Sequence, residues 1–133
     1  MRLLWAVVHG LESASKQMQR EIGVTGPQRL VLRLVGHYER LSPGDLAELM
    51  HVHPSSLTGV LRRLERSRLL VRKSDPEDGR RAILTLTAKG RSVNGRRART
   101  VEASVRRTLG SLPATRIGAA RDLLTALASE LGR

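Results

Sequence analysis

The chain has 133 residues, with 24 Lys and Arg against 12 Asp and Glu and a formal net charge of +12. That length is typical of one domain with an ordinary hydrophobic core, so residues 1–133 are expected to fold together. The chain has no Cys, which excludes disulfides, thiolate metal sites and thiol redox switches. One Trp, one Tyr and no Phe argue against RNA recognition by base stacking. The apolar run at residues 3–8 is too short to span a membrane and lacks signal-peptide features, so we expect a cytoplasmic protein with no membrane association.

The basic residues are concentrated in the middle of the chain. Residues 51–81 carry a net charge of +4 and residues 82–110 carry +6, whereas residues 1–50 and 111–133 carry +1 each. Such clustering is typical of a nucleic-acid footprint rather than of a uniformly basic surface. Arg supplies 21 of the 24 basic residues, which suits bidentate and minor-groove contacts, although genomic base composition explains the excess of Arg over Lys equally well.

Hydrophobic periodicity and helix-start signals predict the elements in chain order. Ser42-Pro43 combines a hydroxyl cap with a proline whose missing N–H needs no partner. A change to two-residue periodicity after the fourth helix indicates a hairpin, and Thr87 is a plausible cap for the helix that follows. The predicted elements are helices over 2–22, 27–40, 43–50 and 54–67, strands over 69–73 and 82–86 around a turn at 75–79, a long helix over 88–109, and a last helix from Pro113.

Two consecutive helices, 43–50 and 54–67, are joined by about three residues, which fits a helix-turn-helix. Leu57, Val60 and Leu61 are expected to face the core, so that the opposite side of the second helix is polar. Small hydroxyl residues near its start let the helix approach DNA, and the Arg residues further along reach guanine edges or phosphates. An ordinary solvated helix face is the alternative. The residues proposed to face DNA are Ser55, Ser56, Thr58, Arg62 and Arg63, with Gly59 among them.

Three stretches carry a family resemblance. They are Pro54-Ser55-Ser56-Leu57-Thr58 continuing through Leu61-Arg62-Arg63-Leu64-Glu65, then Asp75-Pro76-Glu77-Asp78-Gly79-Arg80-Arg81, then Leu84-Thr85-Leu86-Thr87-Ala88-Lys89-Gly90. Together with Leu69-Leu70-Val71-Arg72 they resemble the multiple antibiotic resistance regulator (MarR) family over essentially the whole chain.

The resemblance implies a mainly α, winged helix-turn-helix fold (α-α-α-α-β-β-α-α) with N- and C-terminal dimerisation helices, in a homodimer that binds pseudo-palindromic operators. In that family a wing Arg enters the minor groove and an Asp two residues earlier steadies the loop, and these roles match Arg80 and Asp78. The wing residues Arg72, Lys73 and Arg81 are added to the expected DNA contacts. The expected DNA-binding lobe is 27–87.

The dimer is also predicted from apolar patterning. The last helix is apolar along one side, and the first helix is apolar enough to need cover, yet neither completes a winged domain. Two chains can bury these faces against each other in an isologous interface, which makes residues 1–22 and 88–133 the predicted dimerisation helices. The alternative is that both helices fold back onto their own domain.

The sequence departs from the family pattern at two turns. His51 stands where Gly is common in the helix-turn-helix turn, which predicts a looser turn. Ser67-Arg68 stands where the family usually has Gly, which leaves the end of the second helix poorly defined.

Two side-chain groups that suggest other chemistry are better explained without it. His51 and His53 form an H-x-H pair with no third ligand nearby, so we expect helix capping or phosphate proximity, no metal and no cofactor. The acidic residues Asp75, Glu77 and Asp78 fall in a predicted exposed turn, which lacks the burial that acid–base catalysis needs. The protein is therefore not expected to be an enzyme.

Four residues on the first two helices combine an aromatic body with a polar handle: Trp5, His9, His37 and Tyr38. The family usually binds small aromatic or phenolic anions in a cleft beside these helices, so the resemblance implies an effector site there. Ordinary packing and dimer contact is the alternative for each residue.

These observations predict a homodimeric, sequence-specific regulator of transcription that binds double-stranded DNA, a repressor rather than an activator, and responsive to a small ligand. An architectural or non-specific DNA-binding protein is the first alternative. An enzyme with a basic anion-binding cleft and an interaction module without DNA binding are the others, and the latter leaves the basic hairpin unexplained.

Overall fold

The computed structural model describes residues 1–97 and 100–132. Within these residues the fold is mainly helical, with one antiparallel two-stranded sheet, and the predicted helix-turn-helix and hairpin are both confirmed. None of the described helices is long and apolar enough to cross a membrane. The elements are α1 (Arg2–Ile22), α2 (Gly26–His37), α3 (Pro43–Leu49), α4 (Pro54–Arg66), β1 (Leu70–Ser74), β2 (Ala82–Leu86), α5 (Ala88–Gly95), α6 (Val101–Gly110) and α7 (Ala114–Leu131).

The main hydrophobic core lies between α2, α3, α4 and the hairpin. Aliphatic side chains from all of these elements meet there and are almost fully buried, as helical and strand periodicity requires. Leu32 of α2, Leu46 of α3 and Leu64 of α4 are completely shielded from solvent. Because this cluster spans residues 24–86, the helix-turn-helix and the hairpin share one core.

The hairpin is attached to this core at its base. Leu70 pairs with Leu86 and the register continues to Ser74 opposite Ala82. The Leu84 N–H also donates to the carbonyl of Leu41, between α2 and α3, at 2.9 Å. The loop of residues 75–81 therefore projects from a hairpin whose base is fixed to the core.

The predicted caps form. The Ser42 hydroxyl accepts from the Asp45 N–H at 3.2 Å while the Asp45 carboxylate accepts from the Ser42 N–H at 3.0 Å, a capping box at the start of α3. Thr87 accepts from the Gly90 N–H at 3.0 Å and starts α5.

The prediction of one long helix over 88–109 is wrong. α5 ends at Gly95, Arg96 is extended (φ −63°, ψ 129°), and Thr100 caps α6 by accepting from the Ala103 N–H at 3.3 Å. The Arg29 guanidinium stabilises the break, because it donates to the Val93 and Arg96 carbonyls at the end of α5. Residues 98 and 99 of the predicted helix, and residue 133 of the predicted segment 88–133, lie outside the described residues.

The two turns that lack Gly are nevertheless tight, which corrects the expectation of a looser turn and a poorly defined helix end. His51 (φ 52°) and Arg68 (φ 56°) both adopt the left-handed conformation that closes a helix in the Schellman motif. The four closing bonds, each from N–H to carbonyl, are His51 to Glu48 (3.0 Å), Val52 to Ala47 (3.1 Å), Arg68 to Glu65 (2.9 Å) and Leu69 to Leu64 (3.0 Å). Hydrogen bonding thus imposes on His and Arg a conformation that costs about 1–2 kcal/mol in a residue with a Cβ.

The terminal helices contribute little to the core. α6 and α7 contain no buried residue among those described, and α1 buries only Met18. Leu3 and Trp5 of α1 are 80% and 67% exposed, and Leu123 and Leu131 of α7 are 69% and 72% exposed. A single chain therefore leaves its N- and C-terminal apolar faces uncovered.

Candidate nucleic-acid interface

Helix α4 presents a polar side away from the core. Leu57, Leu61 and Leu64 are buried. The predicted contact residues on the other side are exposed, except Gly59, which is half-exposed. His53 caps the helix, because its Nδ1 accepts from the Ser55 N–H at 3.3 Å and lies 2.7 Å from the Ser55 hydroxyl. The capping role expected for the His pair is thus confirmed for His53, and within the described ranges no three His, Asp or Glu side chains gather as metal ligands.

Some polar side chains of α4 bond within the chain, and three others do not. The Thr58 hydroxyl donates to the Pro54 carbonyl at 3.1 Å, and Arg63 Nε donates to the Gly59 carbonyl at 3.3 Å. The side chains of Ser56, Arg62 and Arg66 make no hydrogen bond or ion pair with any residue that the structure describes. Arg62 and Arg66 are therefore guanidinium groups of α4 with all their donors available to a partner.

The wing loop is closed by its own backbone. The Asp75 N–H donates to the Arg81 carbonyl at 2.8 Å, and the Arg81 N–H donates to the Asp78 carbonyl at 2.9 Å. The Asp78 carboxylate makes the predicted loop-steadying contact, accepting from the Arg80 N–H at 3.1 Å. The side chain of Arg80 has no bonding partner among residues 1–97 and 100–132, so a preformed loop carries an available guanidinium.

Asp75 fastens this loop to the body of the protein. It is 2% exposed, which corrects the expectation of an exposed turn residue. Its carboxylate accepts from the Glu77 N–H at 3.0 Å and from Arg40 Nη2 at 2.7 and 3.0 Å. The Glu77 N–H and the Arg40 guanidinium hold the pKa of Asp75 below its usual value, so this carboxylate is charged at neutral pH. Arg40 also pairs with Glu77 and was not recognised from the sequence, where no local pattern connects it to a loop 35 residues away.

Two predicted DNA contacts are engaged within the chain. Arg81 pairs with Asp45, and Arg72 Nε lies 2.6 Å from Glu65 Oε1. The Ser42 N–H and hydroxyl, followed by Arg81, lower the pKa of Asp45, so this pair is also charged at neutral pH. These contacts tie the wing to α3 and α4, whereas Lys73 is exposed on β1. Contact of these three residues with DNA stays a prediction.

A cavity of about 260 Å³ lies beside the end of α2 and against α5. The rings of His37 and Tyr38 meet edge to face with centroids 4.8 Å apart. The Asn94 side-chain oxygen is buried and has no hydrogen-bond partner within the described residues. The lining residues are Arg33, Leu34, Gly36, His37, Tyr38 and Asn94.

Only two of the four predicted ligand residues line the cavity. His37 and Tyr38 line it, whereas Trp5 and His9 are exposed on α1 and do not. Arg33 was missed although it precedes His37 by one helical turn, a spacing that places both on one side of α2. No sequence signal places Asn94 there.

Helices α3 and α4, followed by a hairpin that Asp75 fixes to the body of the protein, define a winged helix-turn-helix. A family model described as the MarR family matches residues 22–81. The chain is 32% identical over 109 residues to the HTH-type transcriptional repressor Mb2911 of Mycobacterium bovis, covering 82% of this chain and 78% of the relative. It is 31% identical over 88 residues to the organic hydroperoxide resistance transcriptional regulator of Bacillus subtilis, covering 66% of this chain but only 60% of that protein.

The likeness extends to solved structures. CouR of Rhodococcus jostii RHA1, bound to p-coumaroyl-CoA, superposes with a TM-score of 0.79 at 29% identity, covering 95% of this chain and 89% of CouR. The chain belongs to the MarR family of transcriptional regulators.

Proposed function

We propose that this protein is a homodimeric transcriptional repressor that binds a pseudo-palindromic operator in duplex DNA, acting in the cytoplasm. The observation that carries the proposal is the pair of available guanidinium groups, Arg62 on the outward side of α4 and Arg80 on a preformed wing. A helix in the major groove and an arginine in the minor groove read different features of one site. The relatives named as repressors support the same sign of regulation.

The dimer is proposed from the uncovered apolar faces of α1, α6 and α7. Monomeric proteins rarely leave such surface in contact with water, and a two-fold interface covers both copies at once. Residues 27–87 are then the DNA-binding lobe and residues 1–22 and 88–133 the dimerisation segments. Two-fold symmetry predicts an operator with inverted half-sites about one helical turn, roughly 10 base pairs, apart.

The proposal predicts different losses for the two arginines on an operator selected from a random duplex pool. Arg80→Ala should weaken binding broadly and lower the slope of log affinity against log salt by about one unit per subunit. Arg62→Ala should relax selectivity at one position per half-site, at a cost of about 1–3 kcal/mol. Fluorescence anisotropy titrations at several salt concentrations measure both effects.

The matched control is Arg20→Ala, which removes an exposed arginine from α1, outside the proposed DNA-contacting surface. It should leave the salt slope unchanged. Parent-like binding by Arg80→Ala at every salt concentration contradicts the wing assignment. Equal affinity of the parent for all duplexes in the pool contradicts sequence-specific regulation and supports the architectural alternative.

We further propose that the cavity binds a small hydroxylated aromatic acid that alters operator affinity. Arg33 supplies a cation for a carboxylate, and His37 and Tyr38 supply ring edges. The unpartnered Asn94 oxygen needs a donor, which a phenolic hydroxyl provides. The aromatic acyl ligand of CouR supports this class of compound. Since the chain has no Cys, sensing through thiol oxidation is not available to it.

A thermal-shift titration with 4-hydroxybenzoate tests the effector site. The parent should be stabilised by the probe and its operator affinity should change, because the ligand favours one dimer geometry. Arg33→Gln should abolish both effects, and benzoate, which lacks the hydroxyl, should bind more weakly. His9→Ala, outside the cavity, is the control that should respond like the parent. Stabilisation without any change in operator affinity contradicts the coupling.

A further inference from the structure

The outward side of α4 includes a glycine, Gly59, which is half-exposed. Gly59 is two positions from both Leu57 and Leu61, which are buried, and two positions rotate about 200° around a helix. It therefore lies on the outward side of the helix. Its neighbours one helical turn away are Ser55, Ser56, Arg62 and Arg63.

Nothing in the described chain requires glycine at this position. Gly59 lies in the interior of a regular helix and has no positive φ. A Cβ added there would meet only Arg63 Nη2, at 3.7 Å, which is an ordinary van der Waals distance at the end of a flexible side chain. Glycine in a helix interior is less stable than alanine, so the chain carries a local cost without an internal packing reason.

Gly90, unlike Gly59, is required by a contact within the chain. A Cβ on Gly90 would lie 1.9 Å from the Leu69 carbonyl oxygen, so that glycine is explained by the fold. No contact within the described chain explains Gly59, and its place on the outward side of α4 leaves room for a partner to approach the backbone. The major groove is about 12 Å wide, close to the diameter of a helix with its side chains, so a bare position lets the helix axis move closer to the bases.

We infer that Gly59 is a specificity-determining position, at which the backbone of α4 lies against base edges so that Ser56 and Arg62 reach them on either side. The inference rests on the proposed DNA-binding function. The added methyl group of Gly59→Ala would hold the helix away from the bases while leaving the phosphate contacts of the wing in reach. It therefore separates base readout from general affinity.

The experiment compares the parent with Gly59→Ala and Gly95→Ala. Gly95 is the control, because it is also helical and an added Cβ there meets nothing within 4 Å. Gly59→Ala should raise the melting temperature by about 4 °C, because alanine has a higher helix propensity than glycine and so stabilises the folded state. Its affinity for the selected operator should fall about tenfold per half-site, while binding to a scrambled duplex changes less than twofold. Gly95→Ala should retain the parent's ratio of specific to non-specific affinity.

Each other outcome overturns the inference. Unchanged operator affinity of Gly59→Ala, with a parent that binds selectively, refutes the role of Gly59 and leaves the proposed function intact. A lower melting temperature shows that the fold itself needs this glycine. A parent that selects no sequence refutes the proposed function and the inference together.

Discussion

Gly90→Ala should destabilise the protein by about 2 kcal/mol or more. The new Cβ would lie 1.9 Å from the Leu69 carbonyl oxygen and 2.9 Å from its carbon, so the backbone at the base of the wing must move. Overpacking against backbone costs about 3 kcal/mol, which exceeds the gain of about 1 kcal/mol from replacing glycine in a helix. Urea denaturation at fixed protein concentration measures the difference, since the stability of a dimer depends on concentration.

Gly95→Ala is again the control, because it changes the same helix at an open position. It should be as stable as the parent or slightly more stable. The displaced Leu69 also accepts a hydrogen bond from the Thr87 N–H, so Gly90→Ala should weaken DNA binding by shifting the wing. Equal stability of Gly90→Ala and Gly95→Ala would contradict the close approach of α5 to the hairpin.

Arg29→Met should destabilise the protein by about 3 kcal/mol at neutral pH. The guanidinium is almost fully buried and donates to Glu102 Oε1 at 2.7 Å and to the carbonyls of Val93 and Arg96 at 2.5 and 2.6 Å. Its removal leaves a half-buried carboxylate and two carbonyls without their donor. Breaking a buried pair by removing one partner costs about 3–5 kcal/mol, and the 29% exposure of the Glu102 side chain places this case at the lower end.

The stability difference between the parent and Arg29→Met should depend on pH. Burial raises the pKa of Glu102, but its own backbone N–H and Arg29 outweigh burial, so the pKa lies below its ordinary value of 4.5. A carboxylate with a lowered pKa stabilises the folded state above 4.5, and that contribution is lost as pH falls through the folded-state pKa. Equilibrium denaturation at pH 7 and below pH 4.5 should therefore show the gap between parent and Arg29→Met narrowing in acid.

The control removes the charge at the other end of the pair. Glu102→Gln should cost less than Arg29→Met, because the amide oxygen still accepts from Arg29 and both carbonyls keep their donor. The double variant Arg29→Met/Glu102→Gln should recover part of the loss, since no charge is left unpaired. A double variant whose loss equals the sum of the two single losses would contradict a direct interaction.

Local signals in the sequence predicted most of the elements. The bounds of α1 and β2 match the prediction, α3 and α4 each end one residue earlier than predicted, and β1 is shifted by one residue. The caps at Ser42 and Thr87 form as expected. These features depend on residues within a few positions of one another, so hydrophobic period and turn chemistry are enough to predict them. The position of Arg80 at the tip of a hairpin follows from the same kind of signal.

Contacts between residues far apart in the sequence determined the features that local patterns did not predict. The break in helix 88–109 is stabilised by Arg29, 64 and 67 positions earlier, which binds the carbonyls at the end of α5, although Gly95 and Thr100 were local signs of that break. Asp75 is buried because Arg40 reaches it from 35 positions away. The cavity depends in the same way on α2 packing against α5. Periodicity within one element shows which side faces inward, but only the tertiary structure determines which distant charge or carbonyl lies there.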